Sequence, residues 1–473
     1  MKIPRSAVKA LSVLLAGFIL AAAPGPASAI SIPEEKKLAD KFMEQIHNQG
    51  RLLDDPVVLH FIRTLGKDLA SKLPPQSFDF TFYLIYDKTF NAFAGPGANI
   101  FIHTGLLTSL NSTHELAGIL AHEIAHAASR HVSQSIDRAQ LVSIGSMAGV
   151  LAGVLLGSTG SGEAGQALTV GSLAAGQSNM LAFTRENETE ADQKAVLYLR
   201  KTCYDPNGLL DSLTEMREAD YQGVEGIPDY FKTHPGTGNR IAHLSALLAD
   251  QDAVDPLPAC PKTTDYNMIK YRVLALYTTT KTARKKMETL LAESPGDPAL
   301  LYGLGLAYTR INRREAAIAH LQEALVQQPG DPAIQMALGG VYAVDGQYRQ
   351  ARELLMPLTD DPVLGPAAVY SLARVKMDTG DIAGAQADFT RLVATHAKTF
   401  PRAYYHLADL MSRQGQTGAS HYYLGVYYHE IRDLENARRQ LKKSLETLTD
   451  DTLRKDAEKR LGKGDPKKKR KTR

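Results

Sequence analysis

Leu116 to His131 reads LAGILAHEIAHAASRH. Two histidines and a glutamate stand there in a run of small and apolar residues. Glu115 to Arg130 holds no proline and one glycine, Gly118, and is rich in Ala, Leu, Ile and Glu, so it reads as a helix. His122 and His126 are four apart, one turn along the same face. Two imidazoles so placed can reach one Zn²⁺. Glu123 is next to the first of them, close enough to act on a water beside the ion. The pattern is H-E-x-x-H. Leu116, Ile119, Leu120 and Ile124 imply a buried helix, and a buried His or Glu needs a partner.

A zinc enzyme needs a third protein ligand. A histidine six residues after His126 would supply one pattern, with a glycine between, but position 132 is Val and position 129 is Ser. His131 lies five after His126, which on a continuous helix turns it off the ligand face. The other pattern places a glutamate on a later helix. Thr184 to Asp192, TRENETEAD, opens a helical run in which Glu188 and Asp192 share a face. Glu188 is expected to ligate the metal, and Asp192 to hydrogen-bond a ligand histidine from behind. Glu190 reads as a solvated helix carboxylate, and His103 and His114 as surface or packing residues.

At this point the chain resembles a known family. HEIAH at 122–126 followed by TRENETEAD looks like the M48 peptidases, which are gluzincins. Thr233 to Leu244, THPGTGNRIAHL, and Asn91 to Leu107, NAFAGPGANIFIHTGLL, continue the resemblance in family order across most of residues 31–250. The resemblance implies one zinc ion per chain on His122, His126 and Glu188. It implies Glu123 as general base and proton shuttle for peptide hydrolysis. It brings His234 and Arg240 near the metal, His234 as a gating fourth ligand or as an oxyanion stabiliser. Gly236 and Gly238 give that loop freedom to move. Asn99 to Thr104 reads as a strand, with Ile100 and Ile102 alternating against Phe101 and His103. Zincins use an edge strand beside the zinc helix to pair with an extended substrate.

The N-terminus gives the compartment. Lys2, Arg5 and Lys9 precede an apolar run from Leu11 to Ala23, and Ala27 and Ala29 form an A-x-A site. Residues 1–29 therefore read as a signal peptide cleaved before Ile30, which implies the periplasm. No Cys follows that site, so no lipid anchor is expected. The whole chain carries 54 basic and 51 acidic residues. Residues 1–29 hold three cations and no acid, so the mature chain balances at 51 of each. That balance gives no argument for nucleic acid. An oxidising compartment allows Cys203 and Cys260 to pair, and neither belongs to a metal-binding C-x-x-C.

Residues 251–264, QDAVDPLPACPKTT, read as a linker, after which a repeat begins. Pro298, Pro332 and Pro366 are spaced by 34. Leu304-Gly305 and Tyr308 recur as Leu338-Gly339 and Tyr342, and Ala317 and Leu321 as Ala351 and Leu355, then Ala385 and Phe389. A late copy has Leu424-Gly425, Tyr428, Ala437 and Leu441. This resembles the tetratricopeptide repeat, an antiparallel helix pair per unit. About five units are expected over 265–461, the one near Pro401 of uncertain register. Such repeats expose a surface for other polypeptides. The tyrosines at 404, 405, 422, 423, 427 and 428 are expected to be mostly core.

The sequence thus describes a mainly α chain with a small β-sheet. Its gluzincin-type α+β metalloprotease domain (30–250) precedes an all-α tetratricopeptide-repeat solenoid. Leu141 to Leu156 is apolar but short for a membrane span. It reads first as a buried helical hairpin over the site and second as a peripheral contact with a membrane surface. Residues 462–473 carry six cations after Pro466 and read as a solvated tail. A signal peptide, a zinc protease and such repeats together resemble a family of periplasmic proteins that maintain outer-membrane β-barrel assembly. That resemblance implies outer-membrane β-barrel proteins as substrates and their assembly machinery as partners. The alternative is a chaperone or adaptor acting through the repeats with a little-used protease site.

Overall fold

The computed structural model describes residues 30–139, 184–221, 230, 233–249, 258–260 and 264–463. Residues 1–29, read above as a signal peptide, the apolar stretch 141–156, the basic residues from 464 on and most of 251–264 lie outside the described residues. The elements of the first half run α1 (Ile32–Asn48), β1 (Leu52–Leu53), α2 (Pro56–Ala70), β2 (Thr81–Ile85), β3 (Ala92–Gly95), β4 (Asn99–His103) and α3 (Thr104–Ser109). They continue as α4 (Thr113–Ala128), α5 (His131–Ala139), α6 (Arg185–Leu199), α7 (Asn207–Tyr221) and α8 (Thr237–Ala249). The chain divides into two compact units. One comprises residues up to Leu53 with Phe61–Thr263, the other Asp54–His60 with residues from Thr264 on. No helix among the described residues is long and apolar enough to cross a membrane.

In the first unit the strands form one four-stranded sheet in the order β1-β2-β4-β3. β2 runs parallel to β4, and β3 runs antiparallel to it. The strand 99–103 therefore has a partner on each side, and all five of its residues are buried. This corrects the sequence reading of 99–104 as the edge strand that pairs with substrate: β4 lies inside the sheet, between β2 and β3. Among the described residues β1 and β3 are the edge strands, and β3 is the one that packs beside α4. Local sequence cannot report this, because a strand's position in a sheet depends on which segments pair with it.

α4 is the centre of this unit. Ser112 caps it by accepting from the Glu115 amide at 3.1 Å, and the Glu115 carboxylate returns to the Asn111 amide at 2.8 Å. Every residue from Glu115 to His126 is buried, as expected of a helix enclosed on all sides. The close approach of α7 depends on two glycines. A Cβ on Gly118 would lie 2.5 Å from the Leu209 nitrogen, and one on Gly208 2.2 Å from the His114 carbonyl oxygen. The sulfurs of Cys203 and Cys260 are joined as a disulfide.

The second unit is helical. It runs α9 (Tyr266–Tyr277), α10 (Thr280–Glu293), α11 (Pro298–Arg310), α12 (Arg314–Gln327), α13 (Pro332–Val344) and α14 (Tyr348–Leu355). It continues as α15 (Gly365–Asp378), α16 (Ile382–His396), α17 (Arg402–Arg413), α18 (Thr417–Glu430), α19 (Leu434–Thr447) and α20 (Asp451–Lys463). Asp297 and Asp331 each accept two backbone amides at 2.9 Å, with Pro298 and Pro332 in the first helical turn. The small-to-large pairing inside a unit recurs at one spacing. A Cβ on Gly305 would lie 2.4 Å from Leu321, on Gly339 2.7 Å from Leu355, and on Gly425 2.7 Å from Leu441. That spacing makes α18 and α19 a unit and leaves α17 as an extra helix packed before it. This is why the pattern near Pro401 reads poorly in the sequence. Tyr422 is buried, whereas Tyr405 is half exposed and the other tyrosines of that group are partly buried.

Candidate metal centre

α4 delivers His122, Glu123 and His126, α6 delivers Glu188 and Asp192, and the turn before α8 delivers His234, with Arg240 in α8. His122, Glu123, His126, Glu188, Asp192 and His234 are fully buried, and Arg240 nearly so. One donor atom from each of His122, His126, Glu188 and His234 lies within 4.8 Å of the others. His126 Nε2 is 3.0 Å from His122 Nε2. Glu188 Oε2 is 3.4 Å from His122 Nε2, and its Oε1 is 3.4 Å from His126 Nε2. His234 Nδ1 is 3.2 Å from Glu188 Oε1 and 3.4 Å from His122 Nε2. Ligands at zinc's usual bond lengths stand about 3.3 Å apart along a tetrahedron's edges. The donor set therefore fits Zn²⁺ in size, charge and chemistry.

Behind the donors stand Asp192 and Arg240. His122 Nδ1 is 2.9 Å from Asp192 Oδ1, the geometry by which a carboxylate can orient a ligand histidine. Arg240 donates to Asp192 through Nε at 2.9 Å and Nη2 at 2.7 Å, and its Nη1 is 2.9 Å from Glu188 Oε2. Burial pushes the Asp192 carboxyl up, but Arg240 and His122 outweigh it and hold it at about 2. Burial likewise raises Glu188, yet His234, Arg240 and His126 hold it well below the carboxylate range. Glu123 differs. Burial dominates and raises it, with His234 and His122 opposing. Neither of its oxygens has a hydrogen-bond partner, and the nearer approaches His234 Nε2 at 3.5 Å. A buried, unpartnered carboxyl with a raised pKa beside a cationic site is suited to exchanging a proton.

Two features escape the sequence. His131 Nδ1 lies 2.9 Å from His126 Nδ1, and His131 is fully buried. The count of five from His126 assumes a continuous helix. In fact α4 stops at Ala128, and Arg130 is left-handed at φ 55°, so the chain turns and carries His131 back. Glu190 is not simply solvated: it accepts from Lys194 at 2.6 Å and lies 3.4 Å from His131 Nε2. The second feature is Tyr230, whose ring stacks on His234 with centroids 4.5 Å apart. His103 is a packing residue, buried and bonded to Thr89, and the exposed-side His114 accepts from the Asp205 amide.

Comparison with known proteins agrees with this geometry. Residues 60–248 match the model of peptidase family M48. Residues 279–338 and 312–375 match the tetratricopeptide repeat. Over 250 residues the chain is 31% identical to the beta-barrel assembly-enhancing protease of Yersinia pestis, covering 53% of this chain and 50% of that one. The Escherichia coli K12 protein of the same name is 30% identical over 251 residues, with the same coverage. The mitochondrial metalloendopeptidase OMA1 of Schizosaccharomyces pombe is 29% identical over 229 residues, covering 47% of this chain and 63% of that one. The chain thus spans about half the length of the first of these relatives. With the four motifs and the zinc-sized donor set, residues 60–248 are thus similar to peptidase family M48 and residues 279–375 to the tetratricopeptide repeat.

Proposed function

We propose that the chain is a zinc-dependent metalloendopeptidase of the periplasm that hydrolyses misassembled outer-membrane proteins and assists their assembly. The observation that carries the reading is the buried donor set His122, His126, Glu188 and His234 with the unpartnered carboxyl of Glu123 beside it. His122, His126 and Glu188 hold the metal. When bound, zinc supplies Lewis acidity to the attacking water and the peptide carbonyl. Glu123 takes the proton of that water and passes it to the departing amine. Asp192 fixes the His122 tautomer, and Arg240 neutralises Asp192 and Glu188. An extended substrate aligns along β3, an edge strand of the described sheet next to α4. The repeats over 265–461 present the chain to client proteins and to their assembly machinery, in keeping with the names of the bacterial relatives. The signal peptide 1–29 directs export.

His234 as a fourth donor favours a gated site. Four protein ligands leave no position for water, as in structural zinc sites, so catalysis requires His234 to withdraw. Gly236, at φ 84°, gives the turn that carries it the needed freedom. A protein that spends most of its time in this state acts mainly as a chaperone through its repeats.

Zinc content and peptide hydrolysis of the purified protein test the reading. About one zinc per chain is expected, lost in Glu188→Gln and kept in Glu123→Gln, while both variants lose hydrolysis. A wild type without zinc refutes it. A Glu123→Gln variant that still supports outer-membrane integrity in full moves the main function to the repeats.

A further inference from the structure

One ligand histidine, His122, has a carboxylate directly behind it. The other, His126, has a histidine. We propose that His131 is the positioning residue of His126, and that His126, His131 and Glu190 form a relay that holds this ligand in place. The proposal rests on the reading of His126 as a zinc ligand.

The chemistry follows from the two faces of each ring. His126 Nε2 faces the donor set, 3.0 Å from His122 Nε2 and 3.4 Å from Glu188 Oε1. A neutral imidazole that gives Nε2 to a metal carries its proton on Nδ1. That proton points to His131 Nδ1 at 2.9 Å, which must then accept. The His131 proton is therefore on Nε2, facing Glu190 Oε2 at 3.4 Å. Glu190 is held in turn by Lys194, whose Nζ also donates to Ser129 Oγ at 2.8 Å. The chain of donors runs in one direction, from the buried ligand to a carboxylate at the surface. Such outer partners orient a ligand ring and raise its basicity. A neutral imidazole does this without adding another buried anion to Glu188 and Asp192. The left-handed Arg130 fixes the geometry, since it returns His131 to His126 immediately after α4 ends.

Chelator competition measures the zinc affinity of the wild type, His131→Leu, His131→Asn and Glu190→Gln. His131→Leu leaves the His126 Nδ1 proton without its acceptor, and about tenfold to hundredfold weaker binding is expected. His131→Asn places an amide oxygen near the lost nitrogen and is expected to restore affinity to within about threefold. Glu190→Gln, whose oxygen still accepts, is expected to stay within about threefold as well. Equal affinity of wild type and a folded His131→Leu overturns the proposal. So does an equal loss in His131→Leu and His131→Asn, which marks a packing role. The ¹⁵N tautomer signals of the zinc-loaded wild type need no variant. His126 is expected to be protonated on Nδ1 and His131 on Nε2, and His131 protonated on Nδ1 overturns the relay. A wild type that binds no zinc refutes the ligand reading itself, and the relay with it.

Discussion

His122 Nδ1 stands 2.9 Å from Asp192 Oδ1, both side chains fully enclosed, with Arg240 Nη2 on the same oxygen at 2.7 Å. Asp192 thus meets a candidate metal ligand and a buried cation at once. Asp192→Asn keeps the shape but removes the charge. Zinc affinity is expected to fall about tenfold to hundredfold. Stability of the metal-free protein is also expected to fall, because Arg240 stays buried with only Glu188 opposite it. Chelator competition and chemical denaturation measure the two effects; unchanged zinc affinity would refute the first.

The contact of α4 with α7 gives a stability prediction free of metal. Alanine at 118 raises helix propensity by about 1 kcal/mol. Its Cβ, however, would lie 2.5 Å from a backbone nitrogen of α7, which no rotamer change relieves. Overpacking of this kind costs about 1–3 kcal/mol. Gly118→Ala is therefore expected to lower the urea midpoint and to weaken the site by shifting α4. A raised midpoint contradicts it.

The Cys203–Cys260 disulfide closes a separation of 57 residues. In the chain-entropy model such a loop stabilises the fold by roughly 4 kcal/mol, an upper figure. Cys203→Ser with Cys260→Ser, or reduction of the wild type, is expected to lower the first unit's melting temperature by several degrees. Identical melting of oxidised and reduced protein would show that the loop is already fixed by its packing.

His406 gives the second unit a pH dependence. Its ring stacks on Phe389 with centroids 5.0 Å apart and meets the Tyr370 hydroxyl at 3.1 Å. Burial first, then Arg374, pulls it down to about 4, with Asp409 and Asp378 opposing and Arg402 assisting. The unfolded chain takes up this proton near pH 6.5. Between pH 6.5 and about 4 the unfolded state binds more protons, so stability falls as pH falls through that window. The ring is partly exposed, so the loss is on the order of 1 kcal/mol after allowing for solvent screening. His406→Gln is expected to flatten the slope of unfolding free energy over this range. An equal slope in variant and wild type counts against it.

The sequence by itself determined the features set by one helix or one repeat. Four-residue spacing puts His122 with His126, and Glu188 with Asp192, on single faces, because helical geometry is local. The interval of 34 residues fixes the helix pairs, since Gly305 and Leu321 must meet again as Gly339 and Leu355. Folding decided the rest. Among the described residues, sheet pairing put β3 at an edge and buried both faces of β4. The left-handed turn at Arg130 brought His131 to His126, against the count along a helix. The packing of α8 and its preceding turn put His234 within 3.2 Å of Glu188, across 46 residues of chain. Such contacts join segments distant in sequence, and only the packing of whole elements sets those distances.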